Sequence, residues 1–194
     1  IDTCNKHLPK TQQDLGLSIR QSNLCSEITL ATNEERTAVC CLSSVNLEHF
    51  DKWSEDPQFI EDLITMLDNV IEHYIENAVD TSQLGGYSAN FKRFTKYIKE
   101  GKEGYAKSAY SAYRERSVGL GAMGFHAYLQ SQNIAFESIY ATGFNHRAFK
   151  HIKSKAVQAT ERLADMRGEC PDLHNTNRRN AHLIAIAPNA SSGI

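Results

Sequence analysis

The sequence predicts an α/β protein, because strand-like and helical patterns alternate along its 194 residues. A strand-like run covers residues 37–47, an amphipathic helical pattern follows over residues 54–79, and a continuous apolar run closes the chain at residues 181–188. Strands separated by helices are typical of a largely parallel sheet that is covered by helices. We therefore expect a sheet whose strands lie far apart in the sequence.

The composition limits the class of protein. With 41% hydrophobic residues and a formal net charge of −2, the chain is typical of one soluble globular unit without the basic surface that nucleic-acid binding needs. It has no signal peptide and no apolar run of about 18 residues, so a membrane or secreted location is not favoured. Five cysteines, with Cys40 and Cys41 adjacent, make a poor disulfide framework and favour a reducing cytoplasm.

The two ends of the sequence suggest a piece of a longer protein. The chain begins without Met and stops at "IAPNASSGI", directly after a strand-like run and a cluster of turn residues. We therefore expect residues 1–194 to form a single incomplete segment of a larger domain.

The first third of the chain predicts a polar loop followed by two strands and a helix. Residues 1–22 are irregular, and the strands "EITLAT" (27–32) and "TAVCCLSSVNL" (37–47) are joined by the charged turn "NEER". Ser54 or Asp56 can cap the helix, whose first turn suits Pro57. Its apolar stripe contains Leu63, Leu67, Val70, Ile71, Tyr74 and Ile75.

The middle of the chain, about residues 56–166, is predicted to be helical. "LGGY" interrupts the pattern, and the charges of the Lys- and Tyr-rich stretch 90–113 indicate a solvated face. Residues 116–132, "RSVGLGAMGFHAYLQSQ", are predicted as helix although each glycine costs about 1 kcal/mol there, so the glycines suggest close packing or approach to a ligand. Because this segment follows no predicted strand, its likeness to a dinucleotide fingerprint is rejected. A long helix is predicted over residues 140–166.

The apolar run 181–188 predicts a strand that is buried on both faces. The turn that follows it, Pro188–Ser192, contains small polar residues, which allow consecutive backbone N–H groups to face an anion. A turn of this composition after a strand is most often only a turn, so the pattern alone is weak evidence for an anion site.

The stretch "SNLCSEITL" places an amide, a thiol and a carboxylate at alternate positions, Asn23, Cys25 and Glu27. In an extended chain these three side chains share one face. A lone thiol is often structural, but a buried carboxylate needs a partner. No Lys or Arg occurs between Gln21 and Glu35, which favours a neutral thiol over an activated thiolate. The chain has no C-x-x-C or H-E-x-x-H motif, so a metal site is not favoured.

Four motifs in order, "SNLCSEI", "AVCCLSSVNL", "RSVGLGAMGF" and "IAPNASSGI", give the chain a family resemblance. The sequence resembles the large catalytic subunit of class I ribonucleotide reductase, especially the aerobic enzymes of T4-like bacteriophages and their bacterial relatives. The resemblance implies the central part of a ten-stranded α/β barrel, with the radical cysteine on a finger loop near residues 22–28 and a phosphate-loop strand at residues 181–192.

The resemblance also implies roles for individual residues. Cys25 matches the cysteine that becomes a thiyl radical and abstracts the 3′ hydrogen of the ribose. Glu27 matches the carboxylate that takes the 3′-OH proton, and Asn23 matches the amide that orients the substrate hydroxyls. Cys40 matches one of two cysteines that supply the reducing electrons. Further residues implied to contact the substrate are Ser22, Leu24, Pro188, Asn189, Ala190, Ser191 and Ser192.

Two positions depart from the family pattern. Cys41 falls where other members carry a residue such as Thr, and an error of one residue in the alternation would exchange Cys40 and Cys41, because neighbours in a strand face opposite sides. Asn189 and Ala190 replace the Ser and Glu of some bacterial relatives, so phosphate binding is expected to depend on backbone N–H groups.

The resemblance implies partners rather than a cofactor bound by this chain. It implies a ribonucleoside diphosphate substrate, the remaining segments of the large subunit, a diiron-tyrosyl small subunit as the radical source, and thioredoxin or glutaredoxin as reductant. The expected location is the cytoplasm, that of the host if the gene belongs to a phage. The isolated chain is expected to be inactive, since it contains no second family redox cysteine and no adjacent tyrosine pair. An adenosylcobalamin-dependent reductase and an inactive, assembly-only fragment remain as alternatives, and Cys4 and Cys170 receive no role.

Overall fold

A computed structural model describes residues 1–78 and 105–191 of the chain. "LGGY", most of the Lys- and Tyr-rich stretch and Ser192 therefore lie outside the described residues. In chain order the elements are α1 (Asp2–Lys6), α2 (Lys10–Asp14), β1 (Cys41–Asn46), a 3-10 helix (Leu47–His49), α3 (Phe50–Trp53), α4 (Phe59–Ala78), α5 (Ala106–Glu115), β2 (Val118–Met123), α6 (Phe125–Ser131), α7 (Ile139–Arg167) and a 3-10 helix (Pro171–Leu173).

The two strands β1 and β2 pair in parallel, with Cys41 opposite Val118 and Asn46 opposite Met123. A parallel pair needs a crossover connection, and α3, α4 and α5 lie between the two strands in the sequence. One face of the pair packs against the helices, where Val45 is 2% exposed. This arrangement confirms the α/β class and the strand predicted within residues 37–47, which is shorter than expected.

The apolar run 181–188 lies beside β2 but does not form the regular strand that was predicted. Val118 N donates to His182 O at 3.0 Å and Leu120 N to Leu183 O at 2.9 Å. A regular parallel ladder would use alternate carbonyls rather than neighbouring ones; only an isolated bridge, Leu120 with Ile184, is formed here. Burial on both faces is also wrong, because the Ile186 side chain is 52% exposed.

Residues 27–32 do not form the predicted strand, because this segment has no ladder partner among residues 1–78 and 105–191. Thr32 N donates to Ser18 O at 3.3 Å, which is a contact between two irregular segments. The turn after it is as expected: Asn33 and Arg36 form an antiparallel bridge, and Asn33 Oδ1 accepts from Glu35 N.

The glycine-rich segment 116–132 was predicted as one helix, and this prediction is wrong. It divides into the strand β2 and the short helix α6, separated by Gly124 at φ +73°. A Cβ on Gly119 would lie 2.4 Å from Leu42 Cδ2, and one on Gly121 would lie 2.5 Å from Ala185 O. The glycines therefore allow β1 and the segment after Ala181 to approach β2 closely. The predicted helical middle, 56–166, consequently contains a strand.

The two long helices form most of the core with the strand pair. Helix α4 begins at Phe59, so Pro57 lies before its first turn, while Asp56 Oδ1 accepts from Gln58 N at 2.9 Å. Val70 of the predicted stripe is 47% exposed. The fully buried apolar residues of α4 are Ile60, Ile64, Leu67, Ile71 and Ile75. Helix α7 confirms the predicted long helix, with the Ser138 side chain accepting from Ala141 N at its start.

A buried ionic cluster holds the helix ends together around Asp68 of α4, whose side chain is fully buried. Asp68 Oδ1 accepts from Arg116 Nε at 2.9 Å and from Asn180 Nδ2 at 3.1 Å. Its Oδ2 accepts from Arg167 Nη1 at 2.9 Å and Arg179 Nε at 3.3 Å. Burial alone would raise the pKa of the Asp68 carboxyl, but the charges and hydrogen bonds of these arginines outweigh it and hold the pKa below its usual range.

No helix among residues 1–78 and 105–191 is both long enough and apolar enough to span a bilayer.

Replacement of Gly121 by Ala should destabilise the protein, because the added Cβ meets the Ala185 backbone oxygen, which cannot rotate away. We expect the free energy of unfolding to fall by about 1–3 kcal/mol in urea denaturation. The matched control is Gly143→Ala in α7, where a Cβ meets no atom within 4 Å; this change should stabilise the helix by up to about 1 kcal/mol. Equal effects of the two substitutions would contradict the close packing at Gly121.

Asp68→Asn should lower the free energy of unfolding by about 3 kcal/mol, since it removes the fully buried one of the two carboxylates that neutralise Arg116 and Arg179, and leaves only Glu72. The folded-state pKa of Asp68 is lowered, so its contribution is complete above the unfolded pKa of about 3.9 and is lost as the pH falls through the lower folded value. Chemical denaturation at several pH values measures both effects. The control is Asp14→Asn, in an exposed ion pair with Lys10, which should change stability by less than about 0.5 kcal/mol.

Candidate active site

The loop at residues 22–28 closes on itself through Asn23. Ser26 N donates to Asn23 O at 3.2 Å, Asn23 N donates to Ile28 O at 3.0 Å, and Asn23 Oδ1 accepts from Ile28 N at 3.0 Å. Ser26 has φ +69°, which completes the reversal. Cys25 therefore lies at the tip of a turn, next to Leu24, whose side chain is 99% exposed. The extended geometry predicted for residues 23–27, with three side chains on one face, is wrong.

Glu27 and Cys40 line the same small cavity of about 80 Å³. Glu27 Oε2 is buried and has no hydrogen-bond partner among the described residues. The full set of lining residues is Glu27, Ile28, Thr29, Leu30, Cys40, Val118, His182, Ile184 and Ala185. A buried carboxylate oxygen without a partner is costly to keep, so this cavity is the strongest candidate for a reaction site in the part of the chain that is described.

The electrostatics of this cavity keep the Cys40 thiol neutral. Burial is the main cause that raises the pKa of the Cys40 thiol to about 12, and the electrostatic effects of Cys41, Glu115 and Glu27 add to it. A thiol with this pKa holds its proton at neutral pH and is a poor nucleophile. The thiol is thus suited to chemistry of the intact S–H bond or to a disulfide.

Cys40, rather than Cys41, faces the cavity. Cys40 Sγ lies 3.5 Å from the position of a Cβ on Gly119, on the face of the strand pair that Ala185 covers. Cys41 points to the opposite face, where it packs against the main hydrophobic core. The alternation of strand side chains therefore puts Cys40, and not Cys41, in the wall of this cavity. The redox role of Cys40 stays a prediction.

The other predicted residues of the loop lie apart from this cavity. Ser22 and Asn23 line a neighbouring cavity of about 160 Å³, and Ile28 and Leu30 contribute to both cavities. Cys25 is exposed at the turn, so the described residues do not enclose this thiol. The roles of Asn23 and Cys25 stay predictions.

The predicted phosphate loop begins at Pro188, three residues after the last residue that lines the cavity, Ala185. Ala185 lines the Cys40 cavity, and the chain reaches a turn at Ala190 and Ser191. Asn189 Nδ2 donates to Ala187 O at 2.9 Å, so this amide supports the chain's own conformation. Anion binding by Pro188–Ser191 stays a prediction that depends on backbone N–H groups.

Sequence reasoning missed three residues next to the cavity: Gly119, Ser117 and His182. Gly119 was wrongly predicted to lie in a helix, although a glycine inside a strand pattern often marks close backbone approach. His182 is the one ionisable residue in the apolar run "AHLIAIAP", and that position was the signal for it. Its Nδ1 lies 2.9 Å from Ser117 Oγ.

Within the described ranges, no group of three or more His, Cys, Asp or Glu side chains is arranged to hold a metal ion.

The exposed Cys25 should react with iodoacetamide at neutral pH far sooner than the half-buried Cys40, because only the thiolate is alkylated. With the pKa of Cys40 raised to about 12, its thiolate fraction is at least about 1,000-fold below that of an ordinary thiol. Site-resolved mass spectrometry of a time course measures both rates. A control in urea should bring the two rates together; equal rates in the folded chain would contradict the burial of Cys40.

Comparison with known proteins identifies relatives over the whole chain. Residues 1–178 match the family model described as "Ribonucleotide reductase, barrel domain". The ribonucleoside-diphosphate reductase large subunit of Invertebrate iridescent virus 3 is 45% identical over 194 residues, which is 100% of this chain and 27% of the viral protein. A putative large subunit from Frog virus 3 is 46% identical over 195 residues, covering 100% of this chain and 31% of its own length.

A solved structure gives the same result at the level of the fold. The Actinobacillus ureae class Id ribonucleotide reductase alpha subunit matches with a TM-score of 0.81 and 34% identity, over 98% of this chain and 32% of that chain. This similarity supports an α/β segment of the barrel as the fold. The chain spans about a quarter to a third of the length of these relatives.

Proposed function

The chain belongs to the ribonucleotide reductase barrel-domain family, and from this premise we propose that it supplies the radical cysteine loop and one redox cysteine for the reduction of ribonucleoside diphosphates. The observation that carries the proposal is the cavity shared by Glu27 and Cys40. A base and a thiol that line one small cavity are the two kinds of group that this reaction needs beside the ribose. The viral relatives are ribonucleoside-diphosphate reductases by name, which supports ribonucleoside diphosphates as the substrate class.

Cys25 and Glu27 act on the same carbon of the ribose in this proposal. The Cys25 thiyl radical takes the 3′ hydrogen atom, and Glu27 takes the proton of the 3′ hydroxyl. The buried, unpaired Glu27 Oε2 supports the second role, because a general base must have a free lone pair within reach of the proton. Asn23 holds the hydroxyl groups from the adjoining cavity.

Cys40 is one of the two thiols that are oxidised. As the 2′ hydroxyl leaves as water, two thiols become a disulfide, and their two electrons and two protons balance the reduction of the 2′ carbon and the release of water. The high pKa of the Cys40 thiol supports this role, since a neutral S–H delivers hydrogen rather than a nucleophilic pair. The second thiol is assigned to the remainder of the large subunit.

The diphosphate of the substrate binds at Pro188–Ser192 through backbone N–H groups. This turn follows the Ala185 segment that lines the Cys40 cavity, which supports the placement of the ribose between the turn and the thiol. The partners are the other segments of the large subunit, a diiron-tyrosyl small subunit that supplies the radical, and thioredoxin or glutaredoxin. The reaction would take place in the cytoplasm of the cell or host.

A chimera tests this function: these 194 residues replace the matching segment of the Invertebrate iridescent virus 3 large subunit, which is assayed with its small subunit and a dithiol. The chimera should form deoxyribonucleotide, and both Cys25→Ser and Cys40→Ser should reduce the rate by at least about 1,000-fold, since each removes a group that reacts directly. Cys41→Ser is the matched control, because Cys41 faces the core, and it should retain activity. The isolated 194-residue chain should give no product.

Full activity of the Cys25→Ser chimera would refute the radical assignment. If the chimera were active only with added adenosylcobalamin and not with the small subunit, adenosylcobalamin would be the radical source and the proposed small subunit would be wrong.

A further inference from the structure

A line of buried polar groups leads from the cavity shared by Glu27 and Cys40 into the protein interior. His182 lines the cavity, and its Nδ1 lies 2.9 Å from Ser117 Oγ. Ser117 in turn hydrogen-bonds to the Glu115 carboxyl. Ser117 and Glu115 are 0% and 1% exposed. Three adjacent groups that can each pass a proton therefore connect Glu115 with the space beside the Cys40 thiol.

The Glu115 carboxyl is held in place by hydrogen bonds from uncharged side chains. Its Oε1 accepts from Ser111 Oγ at 3.2 Å, and its Oε2 accepts from Gln12 Nε2 at 3.4 Å. Burial first, and then the negative charge of Asp172, raise the pKa of Glu115 to about 7, although Arg36 opposes this shift. Near neutral pH this carboxyl is therefore present in both protonation states and can give or take a proton.

His182 is suited to conduct a proton rather than to store one. Burial lowers the pKa of its imidazole to about 4, so the ring is neutral at physiological pH. A neutral imidazole can accept a proton on one nitrogen while it donates from the other. Besides Glu27 and Cys40 on one side, His182 lines a second cavity of about 270 Å³, where the titratable neighbours are Cys4 and His7.

We propose that His182 relays a proton from Glu115, through Ser117, to the sulfur of Cys40 when a disulfide containing Cys40 is reduced. This inference rests on the redox role proposed for Cys40. Nothing else in the described cavity wall offers a connected proton donor: Glu27 is an acceptor when ionised, and the remaining lining groups are apolar apart from Thr29.

An external dithiol supplies the electrons in this step. The thiolate of the reductant attacks the other sulfur of the disulfide, and the S–S bond breaks with its electron pair on Cys40 Sγ. The Nε2 proton of His182 moves to Sγ, the hydroxyl proton of Ser117 moves to Nδ1, and the carboxyl proton of Glu115 moves to the Ser117 oxygen. Cys40 ends as a thiol, Glu115 as a carboxylate, and the imidazole stays neutral with its tautomer exchanged.

The relay can be measured in the chain itself, without nucleotide or partner. The cysteines are converted to methyl disulfides with methyl methanethiosulfonate in urea, where Cys40 is no longer shielded and reacts like the other thiols. The urea is then removed, and the refolded chain is reduced with dithiothreitol. Acid-quenched samples and site-resolved mass spectrometry give the rates at Cys40 and at the exposed Cys25 in the same tube. The dithiothreitol thiolate concentration changes with pH but is the same for both sites, so it cancels in the ratio of the two rates.

In the unchanged chain the Cys40-to-Cys25 rate ratio should be higher below the pKa of Glu115, about 7, and should fall as the pH rises through it. Glu115→Gln and Ser117→Ala should each remove this step and lower the ratio at the acidic end by about 10-fold or more. Thr29→Val is the matched control, since Thr29 lines both cavities beside His182, and it should keep the step.

If the pH step in the Cys40-to-Cys25 rate ratio remained in both Ser117→Ala and Glu115→Gln, the relay would be refuted. Loss of the same pH step in Thr29→Val would also refute it. Ser117→Ala removes a single oxygen, so it carries the test if Glu115→Gln unfolds, as judged by circular dichroism. Because this measurement involves no nucleotide, its failure leaves the chimera's activity unaffected, whereas an active Cys25→Ser chimera would refute the proposed function and not the relay.

Discussion

The buried carboxylate of Asp68 is the interaction on which the site depends. Its four donors come from the end of α5, the end of α7 and the residues just before the apolar run 181–188. Arg116 lies two residues before β2, and Asn180 lies two residues before His182. The start of β2 and the start of the cavity-lining segment are therefore held to the same point on α4, which sets their distance from each other.

The site follows from what that spacing permits. With β2 and the segment after Asn180 anchored together, the glycines of β2 let Ala185 and β1 approach closely, and Cys40 Sγ is enclosed beside Gly119. The same enclosure brings Glu27 to the thiol and buries one of its oxygens without a partner. The ionic cluster and the core thus stabilise the fold enough to offset the cost of placing a carboxylate and a thiol in this partly buried environment.

The sequence was sufficient where local signals and tertiary contacts agree. Helix α7 has a serine cap at its start and a glycine at its end. Its helical pattern is long enough to exclude a strand. The sequence was insufficient where a short segment fits both the helical and the strand pattern. Residues 118–123 form a strand because β1 and Ala185 pack against their glycines, and these contacts cannot be read from the local sequence. Which of Cys40 and Cys41 faces the cavity could be decided only from the register of β1. The position of His182 could be found only once residues 182–184 were seen to lie beside β2. The resemblance to the reductase family located the reactive residues but not these supporting groups.

The most direct test of the account is the identity of the oxidised cysteine after one turnover. A pre-reduced chimera with the viral flanking segments and small subunit is given nucleoside diphosphate without external reductant, and its disulfides are mapped by mass spectrometry. The account predicts about one deoxyribonucleotide per chain, with Cys40 in a disulfide and Cys41 as a free thiol, because only Cys40 faces the cavity of Glu27. Product accompanied by a disulfide at Cys41, with Cys40 still free, would contradict it.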